Sequence, residues 1–198
     1  MTLFYRFVTK LVRAIMIVFW NYKIINVDRM ESIKSSIIAP NHISALDPPF
    51  IGSIFKKEIF VLAKYELFHN PLLGVILRNL NAIPIRRGRI DRTAIKTAQK
   101  ALSDGYSLMM FPEGTRKSTN VKAGIGKIAF ETQKDIVPVF IKYPSSMFKS
   151  LLRKESLNIV IGKKIMISQF EQTKKKTDTY REIAGFAMKK IRDLENEC

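Results

Sequence analysis

Apolar residues along the chain gather in short runs separated by polar stretches that carry glycine and proline. Residues 36–39, 59–63, 82–85, 108–111, 137–141 and 157–161 have the length and β-branched or aromatic content of strands. Helical spacing fills the gaps. Over 91–103, Ala94, Ile95, Ala98, Ala101 and Leu102 share one side, Asp91 stands as an N-cap, and Gly105 supplies a stop. Residues 122–132 form a weaker helical pattern, and 178–195 carry Ile183, Phe186, Ala187, Ile191 and Leu194 at mostly helical steps. Strands alternating with helices predict an α/β domain with a mixed central sheet covered by helices on both faces. No repeat, low-complexity tract or linker divides the chain, so 23–198 is read as one domain.

The first 22 residues follow a different pattern. Arg6, Lys10 and Arg13 recur at steps of four and three, which puts them on one helical face. Phe4, Phe7, Val8, Leu11, Ile15, Val18 and Phe19 occupy much of the remainder. A bilayer span takes about 20 apolar residues, and the three charges interrupt this run too early. A signal peptide shows small residues at its cleavage site, whereas Trp20, Asn21, Tyr22 and Lys23 follow here. The pattern predicts an amphipathic helix over 1–22 lying in the membrane interface as a peripheral, monotopic anchor. The alternative is a helix packed on the protein's own core.

Charge sharpens this picture. The 34 Lys and Arg outnumber the 17 Asp and Glu for a net charge of +17. That field attracts polyanions: nucleic acid, anionic lipid, coenzyme A or an acidic carrier protein. A basic nucleic-acid-binding protein is thus the non-enzyme alternative, but no helix-turn-helix, zinc-finger or RNP-like pattern is present. The spread of basic residues fits docking on anionic lipid better, so no nucleic-acid partner is expected. The single cysteine, Cys198, excludes an intrachain disulfide framework or a cysteine-rich metal site. His69 lacks a nearby acidic ligand pattern, so no metal is expected.

Active residues of α/β sheets collect just past the C-terminal ends of strands. His42 and Asp47 follow the 36–39 strand in Asn41-His42-Ile43-Ser44-Ala45-Leu46-Asp47. Ser44 is placed to cap a helix beginning near Ala45, with Asp47 one turn in. From there Asp47 would bond one imidazole nitrogen and leave the other free as a general base. A capping histidine beside a surface aspartate is the bland alternative. Phe111-Pro112-Glu113-Gly114-Thr115-Arg116 follows the 108–111 strand. Gly114 permits close backbone approach to a ligand, Arg116 suits a phosphate, and Glu113 suits that arginine or a substrate hydroxyl. A plain turn is the alternative. Asn81-Ala82-Ile83-Pro84-Ile85-Arg86-Arg87-Gly88 ends a strand in two arginines, and Lys64 follows another strand similarly. Gly124-Ile125-Gly126-Lys127 fails the nucleotide-loop pattern, with Val121 and Ile128 at the defining positions. It is read as a helix N-terminus.

The ordered blocks NHISALD, KYELFHNPLLG, NAIPIRRG, FPEGTR and IVPV resemble the glycerolipid acyltransferase family over about residues 26–161, and its bacterial lysophosphatidate-acylating branch in particular. The resemblance implies His42 as catalytic base with Asp47 as its partner. It implies acceptor binding by Arg87, Glu113, Gly114, Thr115 and Arg116, a position near the active centre for Lys64, and shaping of the acyl side of the site by Pro138. The implied reaction moves a fatty acyl chain from acyl-CoA or acyl carrier protein to the free hydroxyl of lysophosphatidate, giving phosphatidate in phospholipid synthesis without a cofactor. Another acceptor, such as glycerol 3-phosphate or a different lysophospholipid or lysolipid, is the alternative. The implied location is the cytoplasmic face of the cell membrane. The sequence departs from the family's pattern at Asn81, often glycine, at Arg86, and at Val121, where the family has an aromatic residue.

Overall fold

The computed structural model describes residues 2–88, 90–114, 121–170 and 175–198. Its centre is a seven-stranded sheet in the order β1-β7-β6-β2-β5-β3-β4. The strands are β1 (Lys23–Ile25), β2 (Ile37–Pro40), β3 (Ile59–Lys64), β4 (Ala82–Ile85), β5 (Ser107–Met109), β6 (Ile136–Lys142) and β7 (Asn158–Ile161). From β6 through β2, β5 and β3 to β4 every pairing is parallel. The β6–β7 pair is antiparallel, so β7 and its parallel neighbour β1 run the other way. The sheet is mixed, as expected.

Strand residues alternate between two apolar layers. Ile37, Ala39, Leu108, Ile136, Phe140 and Val160 belong to one, and Ile38, Met109, Val137, Val139, Ile159 and Ile161 to the other. A sheet buried on both faces requires apolar residues at both parities, which is why these strands read as continuous runs. The first layer is closed by α4 (Arg92–Ser103), α5 (Gly124–Thr132) and α7 (Lys176–Asp193). Asp91 caps α4 as expected, its side chain accepting from the Ala94 N–H. Gly126 lets α5 approach α7, since a Cβ there would overlap the Tyr180 carbonyl oxygen. The glycines of the 124–127 segment therefore serve helix entry and helix–helix contact.

The second layer is closed by α1 (Leu3–Ile15), a π-helical turn over Met16–Trp20, and α2 (Asp47–Ile54). The N-terminal helix packs in part on the body of the domain, the alternative expected for it. Tyr5 and Met16 are buried against the body, and the Tyr5 hydroxyl accepts from the Ile59 N–H at 3.2 Å. Leu3, Phe4, Phe7, Leu11 and Val18 remain exposed. Arg6, Lys10 and Arg13 are all exposed, but the Arg13 guanidinium also donates to the Ser53 carbonyl of α2. Helix α3 (Pro71–Asn79) adjoins β4, and the short α6 (Met147–Leu151) lies between β6 and β7 in sequence.

Some expected boundaries moved. The fourth expected strand ends at Met109, which leaves Phe111 in a loop. The helix expected from 122 starts at Gly124, and the last helix starts at Lys176 and closes in a 3-10 turn over Leu194–Glu197. Ser44 does not cap α2. Leu46 occupies the N-cap without a side-chain bond, and the Ser44 hydroxyl accepts from the Leu46 N–H instead.

Candidate active site

The parallel strands β2, β5, β3 and β4 end on one edge of the sheet, and the segments singled out in the sequence all follow those ends. At the end of β2, Pro40 cannot donate to the ladder, and just beyond it the Asn41 side chain takes over. Its Nδ2 donates to the Ile141 carbonyl at 3.1 Å, and its Oδ1 accepts from the Ile141 N–H at 2.7 Å. This double bond to β6 fixes the main chain immediately before His42.

Asp47 opens α2 and is followed by Pro48 and Pro49. Missing N–H groups cost nothing in the first helical turn, whose donors have no partner within the helix. The carboxylate is completely buried and held from four directions. Oδ2 lies 2.8 Å from His42 Nδ1 and accepts from the Ile43 and Ser44 N–H groups at 2.7 and 2.8 Å. Oδ1 accepts from the Tyr143 hydroxyl at 2.8 Å. Asp47 is thus both the orienter of His42 and the turn's own anchor. The carboxylate at Nδ1 places the ring proton there and leaves Nε2 as an acceptor. His42 is only 8% exposed, and its imidazole stacks on Phe111, with centroids 4.1 Å apart.

Glu113 is buried beside this pair. Burial pushes its carboxyl above the ordinary range, and the negative charge of Asp47 adds to that. A hydrogen bond from the His42 main chain, the imidazole charge and Arg192 oppose the rise. Tyr143 is also raised, chiefly by burial and then by the Asp47 charge and hydrogen bond, so its O–H remains a donor. Gly114 has φ +69°, a left-handed conformation that favours glycine. The Lys122 N–H donates to the Pro112 carbonyl at 2.8 Å, which ties down the far side of the loop. Thr115 and Arg116 lie outside the described residues.

Lys64 and Arg87 stand on the same edge, past β3 and β4, but farther out. Lys64 pairs with Glu66 at 3.8 Å. Arg87 is exposed in the turn that reaches Gly88. Its neighbour Arg86 lies over the Tyr65 ring at 4.1 Å and donates its N–H to Asp91 at 3.0 Å. Direct contact therefore joins His42, Asp47 and Glu113, while Lys64 and Arg87 share only the edge. Pro138 lies in the register of β2 and β6, opposite Ala39, below the site. Sequence reasoning missed Asn41, Phe111 as a ring partner, and Tyr143. Asn41 and Phe111 were visible as neighbours of the two motifs, whereas Tyr143, which lies 96 residues from Asp47, had no local signal. Among the described residues, no cluster of three or more His, Cys, Asp or Glu is placed to hold a metal ion.

An imidazole oriented by a buried carboxylate at the end of a parallel strand is equipment for taking a proton from a bound hydroxyl. The acyltransferase family model matches residues 21–142, a stretch that holds every one of these groups except Tyr143 and Arg192, and the chain belongs to that family. Among individual proteins, the 1-acyl-sn-glycerol-3-phosphate acyltransferase of Bacillus subtilis is 29% identical over 196 residues, covering 98% of each chain. That of Streptococcus pneumoniae is 34% identical over 138 residues, covering 69% of this chain and 52% of its own. The crystal structure of the 1-acyl-sn-glycerophosphate acyltransferase PlsC from Thermotoga maritima shares the fold, with a TM-score of 0.66 at 20% identity over 97% of this chain and 78% of that one.

Proposed function

We propose that this acyltransferase moves a fatty acyl chain from a thioester donor, acyl-CoA or acyl carrier protein, to the free hydroxyl of lysophosphatidate, producing phosphatidate. The carrying observation is the His42–Asp47 contact at 2.8 Å, with Nε2 left unengaged by that bond. Nε2 accepts the acceptor's hydroxyl proton as its oxygen attacks the thioester carbonyl. The tetrahedral adduct then expels the thiolate, which recovers the proton from the imidazolium, and His42 is returned neutral. Asp47 holds the ring and stabilises its transient charge. Glu113, Gly114, Thr115 and Arg116 receive the acceptor beyond β5.

Arg87 takes the acceptor's phosphate in this reading, with Lys64 between it and the base. Three strand spacings separate β2 from β4, about 14 Å. An extended arginine covers roughly half of that, and a glycerol phosphate bridges the remainder. The near full-length similarity to the Bacillus relative supports lysophosphatidate as acceptor.

The 1–22 segment rests on the cytoplasmic face of the membrane without crossing it in the same reading. No described helix is long and apolar enough to cross a bilayer. The side of α1 turned from the body carries Leu3 at 83% and Phe7 at 65% exposure. An interfacial helix buries such a face beneath the headgroups. The test is purified protein with a panel of acceptors and both donors, with products read by mass spectrometry. Phosphatidate from lysophosphatidate is the expected product. Efficient acylation of a different acceptor, with lysophosphatidate ignored, would overturn the assignment.

A further inference from the structure

The short helix α6 has an amphipathic character that the catalytic reading does not use. Its polar groups lie at the surface but are pinned to one another and to the turn after α1. The Ser146 hydroxyl accepts from the Lys149 N–H at its N-cap. The Glu155 carboxylate accepts from the Ser145 N–H and hydroxyl and from Lys149 Nζ, at 2.6, 2.9 and 3.0 Å. Arg153 Nη1 donates to the Ile17 carbonyl at 3.1 Å and to Asn21 Oδ1 at 2.9 Å, which staples the turn after α6 to the π-helical turn after α1. The apolar groups are left outside: Met147, Phe148, Leu151 and Leu152 are all about half exposed or more, Phe148 most of all at 69%.

That face does not stand alone. The π-helical turn packed beside α6 exposes Ile17, Val18 and Phe19. On the other side, Tyr143, which bonds Asp47, lies four residues before Met147. The catalytic loop exposes Ile43 and Leu46 on either side of its turn. Two elements far apart in sequence therefore form one apolar ridge leading to the mouth of the site.

We propose that α6 is a second membrane-docking element, which together with the N-terminal helix seats the catalytic edge on an anionic bilayer. This rests on the acyl-transfer reading above for its purpose, though not for its test. Charge decides the occupant. Lys154 is exposed just after Leu151 and Leu152, and Arg6 and Lys10 are exposed on α1, which leads into the π-helical turn of the ridge. A second copy of this chain would bring another net charge of +17 against it, which repels, whereas anionic headgroups attract these same cations. Apolar side chains beneath a basic rim are what an interfacial element buries. With α1 alone the protein would pivot on one rod; a second contact beside the site fixes the angle at which His42 meets an acceptor held in the leaflet.

The experiment uses the full chain and vesicles of phosphatidylglycerol and phosphatidylcholine in equal parts. Phe148→Ser with Leu152→Ser changes exposed positions only, so the fold is retained. The bound-to-free ratio in vesicle flotation should fall at least tenfold, while turnover of a monomeric short-chain lysophosphatidate stays at the wild-type level. In a second variant, Phe148→Cys with Cys198→Ser, an environment-sensitive fluorophore at position 148 should shift to the blue on adding vesicles. Wild-type flotation by the double variant, or an unshifted fluorophore, overturns the proposal. So does a dimer that depends on Phe148 while vesicle binding does not. Vesicle binding through position 148, with a wild-type protein that does not acylate lysophosphatidate, would refute the acyl-transfer reading and leave the docking surface standing.

Discussion

Replacing Tyr143 by Phe removes one oxygen and leaves the ring that packs near Phe50. The lost group is the donor to Asp47 Oδ1 at 2.8 Å. Asp47 is fully buried, and its other three contacts all fall on Oδ2. A hydrogen bond to a charged group contributes about 1.5–3 kcal/mol. Tyr143 is itself half-buried, so a water entering where the hydroxyl stood recovers part of the loss. The expected destabilisation is therefore near the lower figure, about 1.5 kcal/mol in chemical denaturation. The catalytic consequence runs through the orienter. With one of its four contacts gone, Asp47 holds the imidazole less firmly, and kcat should fall about tenfold if about 1.5 kcal/mol is felt in the transition state. KM should change little, because Tyr143 touches the orienter and not the acceptor. Tyr143→Phe with wild-type stability and wild-type kcat would refute the reasoning.

Arg87→Ala and Arg116→Ala should each raise KM for a phosphorylated acceptor about tenfold to a hundredfold, from a charge-assisted contact of about 1.5–3 kcal/mol; wild-type kinetics with lysophosphatidate in both variants would remove them from the phosphate site. Glu113 has its pKa raised in the fold, so its contribution to stability is present in full at low pH and is lost as pH rises through the folded value. Glu113→Gln should therefore be more stable than wild type at neutral pH, with the difference shrinking towards about pH 4, while activity falls; thermal melts across that range decide it. Gly126→Ala should cost about 1–3 kcal/mol by forcing α5 away from the Tyr180 carbonyl, and an unchanged denaturation midpoint would contradict the close approach.

Much of this architecture was legible because a sheet buried on both faces writes itself as uninterrupted apolar runs. The six strands expected from the sequence all exist, and Asp91 caps its helix. β1 was missed because Lys23-Ile24-Ile25 is too short to show a period, and it is a strand only through its pairing with β7. Phe111 reads as strand because it is apolar; its ring serves the imidazole instead. The His42–Asp47 contact was visible from spacing, but its mechanism was not. Asp47 was expected one turn into a helix capped by Ser44, whereas it begins the helix and collects the N–H groups of Ile43 and Ser44 directly. Tyr143 and the Asn41–Ile141 lock join β2 to β6 across about a hundred residues, and such partners exist only once the sheet order is known. The N-terminal segment reads as one amphipathic helix because Tyr5, Met16 and Arg13 look like part of its surface; the body of the domain claims them as partners, Arg13 through α2.

The most direct test is the turnover of His42→Ala with lysophosphatidate and a thioester donor, measured on protein whose circular dichroism and melting confirm the native fold. General-base catalysis contributes roughly 10²–10⁴-fold, and the account predicts a loss of that size in kcat, with acceptor binding retained. A well-folded His42→Ala protein that turns over near the wild-type rate would contradict it.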